Sequence, residues 1–304
     1  MSVFIRRCVG VILVLLGVMA LIFVVLRIIP GNPAAVLLNE HVNKETIERL
    51  TASMNLDKPV PEQFLLYLQG ALRGDLGQSY YMKQPVLSLV LQAFPYTVKL
   101  TVFAAAFAWL FGIGVGVISA VHHDRLPDYL FRGVSLLGVS VPVFMVALFL
   151  QYLFYFKFSL LPLVYDGTLV SMMLPAIALG WNSAGSVARL TRSSLMEQFN
   201  ESYLDTARAK GLTSRQAIFR HGLKNAMVPV ITMLALQLSG MLSGAVITES
   251  VFGIAGLGKL ALSAVETRDM PLLQGTVLFS ALIISLGNII SDIVNVCMDP
   301  RLRV

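Results

Sequence analysis

Six stretches of this chain, 8–26, 100–123, 133–156, 167–188, 225–248 and 270–291, run for 19 to 24 residues without a charged side chain. No other feature limits the fold so severely. A helix that crosses the hydrocarbon layer of a bilayer needs about 17–25 predominantly apolar residues. All six stretches pass that test. The next longest, 84–98, has 15 residues and carries Pro85 and Pro95, and it fails. Soluble domains carry roughly 25% charged residues, whereas only 13% of this chain is charged and 56% is hydrophobic. Too little polar side chain remains to cover a water-facing globule. The first stretch follows "MSVFIRR" and could be mistaken for a secretory signal. Its apolar run exceeds the ~7–15 residues of such a segment, and "IIPGNP" offers no clear cleavage site. The expectation is an all-α, polytopic membrane protein with six transmembrane helices.

Lysines and arginines in short loops set the orientation. With the N-terminus inside, the inward segments hold 13 basic residues, among them Arg125, Arg132, Arg189 and Arg192, and the two short outward loops hold 3, Lys157, Lys259 and Arg268. Both termini are therefore expected in the cytoplasm. This bias accounts for most of the net charge of +6, so no nucleic-acid partner is implied. Three regions follow: a tail and first span (1–30), an extracytoplasmic segment (31–96), and a five-helix core (97–304) with a cytoplasmic loop at 189–225. The extracytoplasmic segment reads as a polar helix, a turn at "LDKPVP", an amphipathic helix from Glu62 and a glycine-punctuated exit. It suits a cap on the bundle and a docking surface or gate equally well.

Within the spans, Gly112 and Gly116, and likewise Gly240 and Gly244, have the spacing that lets helices approach closely in lipid. Ionisable residues keep to span ends: Arg27, Lys99 and Glu249 on one side, Asp292 on the other. A charge at mid-bilayer costs about 2.5–3.5 kcal/mol or more, and none is placed there, which argues against a proton-relay pump. "GIAGLGKL" (253–260) nearly matches the phosphate-cradling loop G-x-x-x-x-G-K-[ST], but Leu260 stands where the hydroxyl should be and no strand precedes it. It is not read as a nucleotide site. Cys8 and Cys297 imply neither a disulfide framework nor a metal site. No catalytic or metal-binding residue is expected.

The segment from Ser202 to Gly222 differs from everything around it. Ser202-x-x-Asp205 and Thr213-x-x-Gln216 both have capping-box spacing, and Gly211 and Gly222 fall where helices would end. The reading is helix, glycine corner, helix, then re-entry into the membrane. A loop that only retains positive charge needs no caps and no corner. A rigid bracket suits a lever that receives force from a soluble partner.

The bracket resembles the "EAA" loop of permease subunits of ATP-binding-cassette importers, with pattern E-A-A-x-x-x-G. Asp205, Thr206, Ala207 and Gly211 occupy its positions, with Asp for Glu and Thr for the first Ala. The wording "TARAKGL…RHGLKNAMVPV" is similar to the dipeptide/oligopeptide/nickel branch, as are "RIIPGNP", "LDKPVPEQF", "GDLGQS", "ESVFGIAGLG" and "DPR". The extended first segment resembles the first of two permease paralogues. The resemblance implies a type I importer bundle in a prokaryotic inner membrane. It implies as partners a second paralogous permease, two ATPase subunits that bind the ATP and magnesium, and an extracytoplasmic solute-binding protein. No cofactor is implied in this chain itself. Tyr203, Asp205, Ala207, Arg208, Gly211 and Arg215 would form the ATPase-coupling loop. Di- or oligopeptides are the leading solutes, with nickel, metal-chelator complexes or glutathione as alternatives. A secondary transporter or channel lacks support from internal repeats or filter patterns. A membrane protease would need a nucleophile and base in reach, but all four histidines lie in loops or at a span end.

Overall fold

A computed structural model describes residues 2–28 and 57–298. The polar helix expected before "LDKPVP", most of "RIIPGNP" and the terminal "DPR" lie outside the described residues. Among the described residues every regular element is helical, apart from one isolated bridge between Gln78 and Pro85. In chain order they are α1 (Ser2–Ile28), α2 (Val60–Leu72), α3 (Val86–Val121), α4 (Leu126–Ser140), α5 (Val143–Gln151), α6 (Met173–Phe199) and α7 (Ser202–Ala209). There follow α8 (Ser214–Ala217), α9 (Leu223–Leu242), α10 (Val246–Val251), α11 (Leu257–Glu266) and α12 (Met270–Met298).

Among the described residues four helical stretches are long and apolar enough to cross a membrane: Val9–Ile28, Val86–Val121, Ile218–Leu242 and Met270–Val294. The uncharged run 133–156 is not one straight span. It divides into α4 and α5, with the latter extended by a wider helical turn over Tyr152–Lys157, and the two halves meet at 108°. Pro142 causes the break. It has no N–H to continue α4, and it forces Val141 into extended backbone (φ −84°, ψ 125°). Counted as one bent span, the pair makes five.

The run 167–188 becomes α6, which starts at Met173 and continues past Arg189 and Arg192 to Phe199. It is less apolar than the others because protein covers it: Leu174, Ala178, Gly180, Ala184, Gly185, Ala188 and Thr191 are all buried. Its longest contact is with α3. A Cβ on Gly112 would stand 2.8 Å from the Ala184 carbonyl oxygen, and one on Gly116 2.6 Å from that of Ala188. Reciprocally, a Cβ on Gly180 would stand 2.6 Å from the Ala104 carbonyl oxygen. Missing side chains on both helices thus set how closely their backbones approach. Gly240 has open space at the same position, and the close seat between α9 and α12 is Gly287 against Ser239. Gly244 (φ +118°) instead turns the chain out of α9, packed on Gly258.

Helix α3 begins at Val86 and runs unbroken for 36 residues through Pro95, a length of about 54 Å. The boundary expected at 96/97 therefore falls inside a helix that projects well beyond a hydrocarbon layer of roughly 30 Å. The projecting turns pack Val86, Leu89, Val90 and Ala93 against Leu76, Leu257, Ala264 and Leu272. This cluster ties the segment around 76 to the bundle.

Candidate functional site

The 202–222 region forms a compact bracket at the end of the bundle where α6 stops. Helix α7 closes in a Schellman arrangement. Lys210 is its C-cap, the Leu212 N–H donates to the Ala207 carbonyl (3.3 Å), and the Gly211 N–H donates to that of Arg208 (2.9 Å). Gly211 takes φ +91°, the left-handed backbone this motif requires. The next helix opens with a reciprocal capping box. The Gln216 N–H donates to Thr213 Oγ1 at 3.3 Å, and the Thr213 N–H to Gln216 Oε1 at 3.0 Å. Leu204, Ala207 and Ala217 are buried against Phe199, Tyr203 and Leu212, a small core of the bracket's own. The Tyr203 hydroxyl, 2.7 Å from Gln198 Oε1, ties it to the end of α6.

Three features differ from the sequence expectation. The box at Ser202 does not form: Glu201 is the N-cap and makes no side-chain cap bond. Asp205 instead pairs with Arg208 at 2.8 Å on the exposed side. Ala207 faces the small core rather than the outer surface. Gly222 ends nothing. The helix runs without a stop from Ser214 through a wider turn at Ile218–Gly222 into α9 and on to Leu242. Gly222 keeps helical φ (−64°), and a Cβ there would fit in ordinary contact with Leu204 and Leu195. Arg215 lies in this helix, but its side chain is outside the described residues. The outer face includes Asp205, Thr206, Lys210, Gly211 and Thr213, all exposed.

About 30 Å away along α9 lies a site of opposite character. Glu249 is completely buried. Its carboxylate accepts bonds from the Thr97 hydroxyl (2.7 Å) and from the backbone N–H groups of Lys259 (2.9 Å) and Ala245 (3.4 Å). Thr97 in turn accepts the Leu257 N–H at 2.8 Å. The glycines of "GIAGLGKL" serve this carboxylate. A Cβ on Gly256 would collide with it, and one on Gly258 would stand 2.6 Å from the Val246 nitrogen. Nearby, buried Asp269 accepts from the Ser79 hydroxyl (2.5 Å) and from the N–H groups of Tyr81 (3.0 Å) and Leu272 (3.2 Å). Burial, with Asp269 adding to it, pushes the neighbouring Tyr80 phenol up to about 12.

A third buried carboxylate sits at the bracket end. Arg192 grips Asp128 with two bonds, 2.7 and 2.8 Å, while Ser119 Oγ (2.5 Å) and the Asp124 N–H (3.1 Å) also donate to it. It holds α3, α4 and α6 together. Sequence reading placed Glu249 as an end charge and gave Asp128 and Asp269 no role. Among the described residues, His123, Asp124 and Asp128 are the one group whose ligand atoms lie close enough for a metal. Both oxygens of Asp128 are already taken by donors, so the group is a poor cation site.

Residues 112–304 match the family model described as binding-protein-dependent transport system inner membrane component, and residues 1–101 match the model for its N-terminal part. The chain belongs to this family. The glutathione transport system permease protein GsiC of Pectobacterium atrosepticum is 37% identical over 303 residues, covering 100% of this chain and 99% of the relative. Its counterpart in Escherichia coli strain K12 is 34% identical over 299 residues, 98% of each chain. Two inward-facing crystal forms of the MetNI methionine ABC transporter share the fold, with TM-scores of 0.57 and 0.52 at 17% identity. They cover 69% and 68% of this chain and 96% and 97% of their own. The permease is thus a transport subunit of an ABC importer rather than an enzyme. Its candidate site is the bracket, a self-contained polar element on a long helix that leads to the buried Glu249 cluster.

Proposed function

We propose that the permease crosses a prokaryotic inner membrane six times, with both ends in the cytoplasm and residues 31–96 outside. In this reading α6, shielded by protein on most faces, counts as a span beside the five legible from apolarity. The permease pairs with a second, paralogous permease subunit. Two ABC ATPases grip the brackets, and an extracytoplasmic binding protein delivers the solute. The observation that carries the coupling role is the absence of any joint at Gly222. The bracket's second helix and α9 are one continuous helix from Ser214 to Leu242, carried through Pro229, about 43 Å long. Closure of the ATPases would press on the exposed face around Asp205–Gly211. The Schellman corner and the capping box keep the bracket from yielding, so α9 would move as a rod and shift its far end.

For the solute we infer a short peptide, with glutathione, itself a tripeptide, as the first candidate. Full-length identity to the two glutathione permeases supports this. The test is ATP-driven uptake into proteoliposomes holding the permease with its partner subunits and binding protein, using labelled glutathione with dipeptides and oligopeptides as competitors. Saturable glutathione uptake is expected. Uptake of a dipeptide that glutathione cannot compete would reassign the solute. Orientation is tested separately. A cysteine replacing Gln78 should react with an impermeant thiol reagent from outside, and one replacing Ser214 should not. The reverse pattern would overturn the topology.

A further inference from the structure

A cleft of about 480 Å³ opens between α4 and α6, lined by Tyr129, Arg132, Gly133, Leu136, Arg189 and Arg192. Its charge is unbalanced. Arg192 is committed to Asp128, whose two oxygens also receive Ser119 and the Asp124 N–H. Arg132 reaches that carboxylate only at 4.0 Å and lies over the Tyr129 ring. Arg189 is exposed and makes no ion pair among the described residues. Three guanidinium groups against the carboxylates of Asp128 and Asp124, which lie within 4.8 Å of each other, leave the cleft with one excess positive charge. Gly133 has nothing within 4 Å of where a Cβ would stand, so among the described residues nothing fills the cleft beside it. The adjoining face of α4 presents Leu126, Tyr129, Leu130, Leu136 and Leu137, all exposed.

A cationic cleft continuous with an uncovered apolar helix face is complementary to one kind of molecule: an anion on a hydrocarbon tail. We infer that the cleft binds the phosphate head group of an anionic phospholipid, with the acyl chains along the outer face of α4. Arginine suits the task because its planar fork donates to two phosphate oxygens at once. Basic pockets between spanning helices on the cytoplasmic side are where acidic head groups bind. Only the choice of leaflet rests on the topology proposed above. The chemistry of the cleft does not.

The test uses the permease purified with its partner subunits in nanodiscs of phosphatidylcholine carrying a small fraction of fluorescent phosphatidylglycerol. One saturable phosphatidylglycerol site per permease is expected, insensitive to millimolar inorganic phosphate. Arg132→Gln and Arg189→Gln should each weaken it about fivefold, and together about 25-fold. Gly133→Leu, which fills the cleft without changing charge or burying anything against a neighbour, should abolish it. Arg125→Gln, equally basic but outside the lining, should leave it unchanged. Retention of the lipid in Gly133→Leu or in the double arginine variant would overturn the inference, as would equal loss in Arg125→Gln. Displacement by free phosphate would assign the cleft to a soluble anion instead. Loss of a partner polypeptide from these variants, with lipid retained, would show that the cleft is a protein contact.

Discussion

The bracket and the Glu249 cluster occupy opposite ends of α9 and are built on opposite principles. Every polar bond that shapes the bracket joins residues three to five apart, among them Asp205 with Arg208, Thr213 with Gln216, and Ala207 with Leu212. Those groups are mostly exposed. At the other end the bonds span 152 residues (Thr97 to Glu249), 160 (Leu257 to Thr97) and 190 (Ser79 to Asp269), and the carboxylates are fully buried. The distant bonds fix the relative positions of the segment around Ser79, α3, α10, α11 and the start of α12. The local bonds fix only the bracket's own shape. An element held together internally can be gripped and displaced by a partner without breaking the fold. An element held by buried long-range bonds acts as the frame it moves against.

The comparison breaks most visibly if the frame is cut. Glu249→Ala would leave three buried donors without an acceptor, each costing about 1–3 kcal/mol. A loss of roughly 3 kcal/mol or more is expected in a thermal or detergent unfolding titration. A loss below about 1 kcal/mol would mean that the cluster is not a frame. Gly256→Ala, which pushes a methyl group into the same carboxylate, should act in the same direction.

The next largest effect falls on function rather than stability. Gly211→Val has room for its side chain but not for its backbone at φ +91°, a strain of about 1–2 kcal/mol. The corner is then re-aimed, so co-purification of ATPase subunits and solute uptake should both fall steeply while membrane insertion persists. Normal uptake in this variant would return the bracket to an ordinary basic loop. Ala207→Arg should give a similar loss, through the bracket's small core rather than its docking face. Proteolytic opening of the bracket, faster than in Gly211→Val, would distinguish the two routes.

Smaller effects sharpen the contrast. Thr213→Ala removes one cap bond, a change of about 1 kcal/mol, and should loosen the bracket in hydrogen exchange around 213–217 without altering protection at Glu249. Asp205→Glu keeps the charge and the reach to Arg208. Exposed pairs of this kind contribute about 0–1 kcal/mol, so uptake should stay near wild type. A large loss there would show that the carboxylate itself is read by the partner.

The bracket was legible in the sequence because its determinants are local. The Gly211 corner and the Thr213–Gln216 box need only neighbouring residues, and each formed where the spacing placed it. The same spacing misled at Ser202, where the chain begins α7 one residue earlier and the Asp205 carboxylate finds Arg208 instead of a backbone N–H. Gly222 carried a stop signal with no force behind it. A glycine permits a left-handed turn without requiring one, and here Gly222 keeps helical backbone between Ile218 and Leu223.

By itself the sequence determined that the chain is helical, that it belongs in a bilayer, and that a basic, glycine-cornered unit interrupts the apolar runs. These follow from the solvation of single side chains and from bonds within a few residues. Only the tertiary structure decided that the run 133–156 bends by 108° at Pro142, that α6 is shielded by its neighbours, and that the bracket's second helix continues into α9. It alone buried Glu249, Asp269 and Asp128 among their donors. The physical reason is distance along the chain. A carboxylate's burial depends on partners 64 to 190 residues away, and local patterning carries no record of which distant hydroxyl, guanidinium or N–H will meet it.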